Sequence, residues 1–406
     1  MTAEPERGAL RGLRVLDMSR VLAGPFCCMM LGDHGADVIK IEPPAGDETR
    51  TWGPPYVDGE STYYLGINRN KRSLALDLAT DDGRDIARRL AASSDVLVEN
   101  FRAGTMERFG LGYEALSQLN PRLIYVSISG FGRDGPYANV AGYDGAVQAF
   151  GGFMSINGED GGEPLKAGIA VADLATGLFA SQAVLLALHA RQQTGLGQQV
   201  EVSLLESLLA LLHPHSSSYL NAGLIGKPHG NSHPMIAPYD LIQTADRPVF
   251  LPGGNDGQIR RLAETIDRPE LIQDPRFRTN ADRVAHRQEL LAILQAEFKK
   301  WTSMELCRRL WDVAVPVGPV NSVDEVYADP QVLARDMLQS IPHPGLSAGV
   351  VRLAGFPVKM SATPPSARRH PPRLGEHTPE ILAELGYSEA EIQRLITTKV
   401  ARALEP

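Results

Sequence analysis

The chain predicts an α/β protein: a large domain built on a doubly wound, mostly parallel, Rossmann-like sheet, and a smaller α+β domain after it. Two observations carry this. The first half alternates short β-rich runs with helical stretches, a pattern that calls for βαβ crossovers and a parallel sheet. Past Gly223 the texture changes to a turn-rich segment, followed by mainly amphipathic helix over 256–312. On this pattern the large domain spans 1–222, the small domain 225–330, and residues 331–406 return to the large domain.

The elements follow in order. "GLRVLDMS" is the first strand and "GPFCCMMLGDHG" the helix after it. "ADVIKIEPP" and "RSLALDL" are strands, and "DDGRDIARRLAASS" is a helix with acidic residues in its first turn. "DVLVENF" and "RLIYVSISGFG" complete the run of strands. Two long helices are expected at 174–193 and 199–222, the second opening with "GQQVEVSLLESLLALL". The tail ends in two short helices starting at "HTPE" and "YSEAE". No internal repeat or low-complexity linker interrupts the chain.

With 406 residues, 43% apolar and 22% charged, the chain is long enough for two or three domains of ordinary soluble composition. Its net charge of −8 is spread among interspersed basic and acidic residues, which advertises neither a nucleic-acid face nor a membrane-binding surface. The three cysteines, Cys27 and Cys28 adjacent and Cys307 distant, match no disulfide framework or zinc spacing. That usage, with a charged N-terminal stretch lacking the apolar core of a signal peptide, leads us to expect a cytoplasmic protein. No apolar run is expected to reach membrane-span length, since Gln182 and His189 break the richest one.

Several common chemistries lack their signatures. There is no GxGxxG after the first strand, no Walker loop, no GxSxG elbow and no HExxH helix, and no metal site is expected. What stands out instead is Asp173, alone at the head of the apolar run "DLATGLFASQAVLLALHA". An Asp just before a helical run is a favoured N-cap. The alternative is a nucleophile held ionised by the helix dipole and the free N–H groups of the first turn, though on these residues alone the cap is the favoured reading. Around it lie loops with polar residues at strand ends. "DMSRVLAGP" offers N–H groups at a helix start, a place for phosphate or a plain turn. "NRNKRS" places Asn68, Arg69, Asn70, Lys71 and Arg72 before a strand, as solvated surface or as a phosphate contact. "VENFRAGTMERFG" adds Asn100, Phe101, Arg102 and Arg108, an aromatic face with guanidinium groups that suits a purine flanked by phosphates.

"GLRVLDMSRVLAGPFCCMMLGDHGADVIKIEPPAGDETR", "NKRS", "VENFRAGTMERFGL", "NPRLIYVSISGFGRDGPY", "GYDGAVQAFGG" and "DLATGLFA" together resemble the class III CoA-transferases, the formyl-CoA transferase and carnitine CoA-transferase family. The likeness runs from about residue 12 to "LGEHTPEILAELGYS". It implies an interlocked homodimer, acyl-CoA and a carboxylic acid as small-molecule substrates, no tightly bound cofactor, and Asp173 as the catalytic nucleophile. Asp173 would attack an acyl-CoA thioester to give a mixed anhydride, which the acceptor carboxylate or CoA then opens. The resemblance assigns CoA contacts to Val21, Leu22, Ala23, Asn70, Lys71, Asn100, Phe101 and Arg108. "PGGND" is similar in place to the family's mobile glycine loop, making Gly253 and Gly254 candidate oxyanion donors, or alternatively a simple turn. Pro43 and Leu22 depart from the arginine and glutamine of the formyl-CoA transferases, against formyl or oxalyl specificity.

The same family holds acyl-CoA racemases with a "GHD" triplet, whereas this chain has Tyr143 and Asp144 in "GYD", which favours transfer over proton exchange at Asp173. A non-catalytic CoA-binding protein is the third reading, and the retained Asp173 speaks against it. "HGNSHPMIAPYD" is similar to relatives acting on dicarboxylates. Succinyl-CoA is then the expected donor, and itaconate, malate, citramalate or hydroxymethylglutarate the acceptor. Arg20, Arg50 and His233 are candidates for the free carboxylate, with structural salt bridges or a satisfied loop histidine as the alternatives, and Tyr143 has a supporting role.

Overall fold

The structure, a computed structural model, describes residues 8–404; the first seven residues of the charged N-terminal stretch and the last two of the C-terminal segment lie outside it. The chain forms two compact units. The first is organised around a seven-stranded sheet. Its strands are β1 (Arg14–Asp17), β2 (Asp37–Glu42), β3 (Lys71–Leu76), β4 (Val96–Glu99), β5 (Ile124–Ser129) and β6 (Gln199–Ser203), and Ala401–Arg402 adds an edge. The order is β3-β2-β1-β4-β5-β6, parallel throughout, with the short C-terminal strand pairing antiparallel to β3. This is the doubly wound order whose direction reverses between β1 and β4, and a crevice opens there beyond the strand ends.

Alternation along the strands explains why the sheet is covered on both faces. In β1, Leu16 packs into a cluster with Ile39, Leu74, Leu97 and Ile86, while its neighbour Val15 joins Val38, Val98 and Val126 on the other face. That second face is covered by α1 (Ala23–Asp33) and α3 (Val171–Thr194), with α2 (Asp144–Phe150) and α4 (Leu204–Leu211) beside them. Helix α3 meets α1 closely because Gly177 faces it: a Cβ there would lie 2.7 Å from the Ala23 carbonyl oxygen.

Three expectations need correction here. The expected helix over 199–222 is a strand, then α4, then a separate helix, His215–Ala222. "QVEVS" has the period-two alternation of a strand and pairs with β5 as the sheet edge. Helix α3 runs unbroken through Gln182 and His189, so by length and composition it is long and apolar enough to cross a membrane. Polar residues of that kind lower hydropathy without breaking a helix. Its buried stripe, Ala172, Ala175, Thr176, Ala180, Val184 and Ala187, packs in the core of this unit.

The third correction concerns the boundary. The second unit comprises 154–166 together with 217–329. The early segment groups with it through the bond from the Gly230 N–H to the Gly158 carbonyl and the Lys227–Asp160 ion pair. Within this unit an antiparallel sheet of Tyr239–Gln243, Pro248–Pro252 and Gly318–Pro319 packs against helices Asp256–Thr265, Arg287–Phe298 and Ser303–Asp312. Residues from Pro330 onward belong to the first unit, where Asn70 bonds the backbone at Ser366, Arg368 and Arg369.

Candidate active site

At the β1/β4 crevice the first unit holds a cleft of about 190 Å³. It brings together Arg20, Val21, Ala23, Asn100, Phe101, Tyr143 and Asp173 from the sequence candidates, with Leu22 buried beneath the loop. The β1 loop is fixed from the neighbouring strand: Asn100 Oδ1 accepts the Arg20 N–H at 2.8 Å and Asn100 Nδ2 donates to the Arg20 carbonyl at 2.7 Å. Phe101 lies under the Arg20 guanidinium, 5.4 Å from carbon to ring centroid. Val21 sits at φ +66°, a left-handed conformation that costs a β-branched residue energy and that this clamp imposes.

The other wall is the glycine-rich stretch after β5. Gly130 and Gly142 face each other so closely that a Cβ on either would come within 2.7 Å of the other's Cα. Ser129, Gly130, Gly132, Arg133 and Asn139 line the cleft, as do Glu48 and Arg102. Their sequence signal was "SISGFGRDG", a strand running into a glycine-rich loop, whose value was hidden because the next helix, α2, begins only at Asp144. Arg133 reaches Glu99 at 2.9 Å and Glu107 at 2.7 Å, so it is held in place by carboxylates.

Asp173 is not the cap of its helix. Helix α3 begins at Val171, three residues earlier than expected, and the carboxylate of Asp144 takes the capping role. Its Oδ1 accepts the N–H of Ala172 at 2.8 Å and of Asp173 at 3.2 Å, while its Oδ2 accepts from Gln148 Nε2 at 2.5 Å. Among the described residues the Asp173 carboxylate has no hydrogen bond or ion pair of its own. Burial, and then the like charge of Asp144, push its pKa up to about 7, the reverse of the stabilised anion expected at a helix start. Tyr63 is close enough to feel both aspartates: burial first, then Asp173 and Asp144, push its phenol up to about 12.

The remaining candidates stand elsewhere. "NRNKRS" is neither solvated nor on the cleft, since Asn68, Arg69, Asn70, Lys71 and Arg72 are all buried. Lys71 Nζ donates to Asp17 Oδ2 at 2.8 Å, to the Pro25 carbonyl and to Asn68. Asn70 bonds Asp33, and Arg69 and Arg72 form ion pairs with Asp33 and Asp37. These groups are buried and matched inside the protein, away from the cleft that holds Asp173. Arg50 is likewise spent on Glu42, at 2.7 and 2.8 Å, with further bonds to Tyr64 and the Pro372 carbonyl. Arg108 is exposed and bonded to Thr105, and it is Arg102 of the same stretch that lines the cleft.

His233, Gly253 and Gly254 belong to the second unit. His233 Nδ1 accepts the Met235 N–H, and its ring packs on Tyr239. The Gly253 N–H is taken by the Pro238 carbonyl and the Gly254 N–H by Gln258 Oε1, so neither is an available oxyanion donor in this arrangement.

A doubly wound sheet with the Asp173 carboxylate at its strand-end crevice, walled by arginines and glycine-rich loops, defines an α/β protein built to hold an anionic ligand against a potential nucleophile. The chain belongs to CoA-transferase family III, whose sequence profile matches residues 10–378, and it is a transferase of CoA groups. It is similar to the succinate–glutarate CoA-transferase of Agrobacterium fabrum, 45% identical over 95% of this chain and 98% of that one. It is also similar to the human succinyl-CoA:glutarate CoA-transferase, 41% identical over 96% and 89% respectively. Among solved structures, a CaiB/BaiF family protein from Brucella suis superimposes with a TM-score of 0.83 at 42% identity, covering 93% of this chain and 100% of that one.

Proposed function

We propose that this enzyme moves CoA from succinyl-CoA to a dicarboxylic acid of about glutarate's length through an anhydride on Asp173. The observation that carries the mechanism is Asp173 itself, a carboxylate lining the cleft with no partner inside the described protein. One Asp173 oxygen attacks the thioester carbonyl carbon, a C–O bond forms, the C–S bond breaks and its electron pair leaves as CoA thiolate. The acceptor carboxylate attacks the Asp173 carbonyl of this anhydride and succinate leaves. The thiolate then attacks the acceptor carbonyl of the new anhydride, a C–S bond forms, the C–O bond to Asp173 breaks, and the acceptor leaves as its CoA thioester with Asp173 restored as a carboxylate. Each step trades acyl derivatives of comparable energy, so no nucleotide is consumed.

The relatives that act on glutarate support the acceptor class, and the acceptors named from sequence, itaconate, malate, citramalate and hydroxymethylglutarate, belong in the same screen. With Arg50 withdrawn into the protein, Arg20 and Arg102 at the cleft are our candidates for the distal carboxylate or the CoA phosphates. We also infer a homodimer in a reducing, cytoplasmic compartment. Leu178, Leu185 and Leu186 on α3 and Leu209 and Leu211 on α4 are exposed, an apolar face that a second copy would cover, and the free cysteines are all buried.

The test is mass spectrometry of the protein incubated with succinyl-CoA and hydroxylamine. A hydroxamate at Asp173, missing in Asp173→Ala, is the expected result. No adduct, together with deuterium exchange at the α-carbon of a 2-methylacyl-CoA, would mean that Asp173 moves protons instead.

A further inference from the structure

Asp144 and Gln148 stand one turn apart on α2 and together grip the approach to α3. Gln148, fully buried, donates through Nε2 to Asp144 and accepts the Ala167 N–H through Oε1 at 2.8 Å. Asp144 in turn accepts the N–H groups of Ala172 and Asp173. Free N–H groups in a first turn are what would stabilise an anion there. Here a second carboxylate has already taken two of them, and Asp173 is left facing the cleft.

We propose that Asp144 is a positioning residue for acyl transfer: by occupying the cap of α3 and placing a like charge behind Asp173, it keeps that carboxylate poorly stabilised and so more nucleophilic. The inference rests on the anhydride reading. When Asp173 acylates, its negative charge moves to the departing sulfur, so the repulsion present in the resting site is relieved along the reaction. The other ionisable groups around Asp173 are Tyr63, from helix Thr62–Ile67, and the cleft residues Tyr143, Glu48, Arg20, Arg102 and Arg133. None of these cleft residues takes a hydrogen bond from the first turn of α3, as Asp144 does.

The network suggests its own control. Asp144→Asn removes the charge but sets its amide against the Gln148 amide. Asp144→Asn with Gln148→Glu restores every hydrogen bond, the new carboxylate accepting from both the Asn amide and the Ala167 N–H, with the charge moved one residue pair away from Asp173. The experiment compares kcat/KM against pH, from about pH 5 to 9, for succinyl-CoA and glutarate in wild type and both variants. The expected result is an acidic limb displaced to lower pH in both variants and a plateau about three- to tenfold lower, following the reduced basicity of the nucleophile. If Asp144→Asn folds poorly, the double variant carries the comparison, because its hydrogen bonding is intact. A double variant whose limb coincides with wild type overturns the proposal, since the cap alone would then be the role of Asp144. Hydroxylamine trapping on wild type separates the two readings. A trapped adduct with an unmoved limb removes this proposal alone, and no trapped adduct removes the anhydride reading and this proposal with it.

Discussion

The carboxylate of Asp144 accepts the backbone N–H of Asp173 at 3.2 Å, so the charge that organises the head of the long helix has the same sign as the residue it organises. Burial and that neighbour hold the Asp173 carboxyl near 7. Only the ionised form attacks a thioester, so transfer is expected to rise with pH through about 7 and then level off. Rates of anhydride formation from succinyl-CoA, measured across that range, check it; a flat profile would contradict the raised value.

The same displacement bears on stability. A carboxyl whose folded pKa is raised contributes proton-linked stability that is complete below its ordinary 3.8 and is lost as pH rises through about 7. Asp173→Asn cannot ionise, so it should melt above wild type at pH 8, with the gap narrowing toward pH 5. The full displacement corresponds to at most about 4 kcal/mol, at about 1.4 kcal/mol per pKa unit, before water at the cleft mouth screens it. Melting curves of the two proteins at both pH values decide the matter.

Arg50 is anchored rather than available. Its guanidinium bridges both oxygens of the fully buried Glu42 and lies on the Tyr64 ring, 3.7 Å to the centroid. Arg50→Met leaves Glu42 ionised and unpaired, and a broken buried pair costs about 3–5 kcal/mol. Denaturant unfolding should show that loss. Activity on mono- and dicarboxylates should fall together, not through the dicarboxylate KM alone.

The strands, their parallel arrangement and the glycine-marked turns were legible because central strands need apolar residues on both faces and Val15 and Leu16 report that directly. The β1 and β4 loops were legible because they sit at strand ends, where Arg20, Val21, Asn100 and Phe101 do line the cleft. The basic cluster misled because sequence gives a charge without its partner: Asp17, Asp33 and Asp37 lie far from Lys71, Arg69 and Arg72 in the chain and meet them only when β1, α1, β2 and β3 assemble. Asp173 does line the cleft, yet it does not cap its helix, since the capping group comes from α2.

Lys71 supports the site from below. Both Lys71 and Asp17 are fully buried, and although burial works to raise the Asp17 pKa, Lys71 and Lys40 together hold it below its ordinary value. Asp17 also accepts the Ser19 N–H and hydroxyl, which turns the chain into the cleft loop. Lys71→Met should destabilise by about 3–5 kcal/mol, and Asp17→Asn in the same chain should recover part of it by removing the orphaned charge. A double-mutant cycle by chemical denaturation measures the coupling, and an additive result would show that the pair does not act as a unit.

Arg20 is an exposed guanidinium on the cleft. Its backbone is clamped by Asn100, its side chain rests on Phe101, and among the described residues no carboxylate pairs with it. A group that binds ground state and transition state alike changes KM and leaves kcat, so Arg20→Gln should raise one substrate's KM roughly tenfold with kcat nearly constant. Which KM moves identifies the charge it meets. If Arg20 meets a CoA phosphate, the KM of succinyl-CoA rises, with a weaker dependence on salt than in wild type because one screened charge pair has been lost. If it meets the free carboxylate of the acceptor, the KM of glutarate rises while that of a monocarboxylate of similar length does not. A fall in kcat with both KM values unchanged would place Arg20 against the developing charge of the reaction instead, and would remove it from substrate binding.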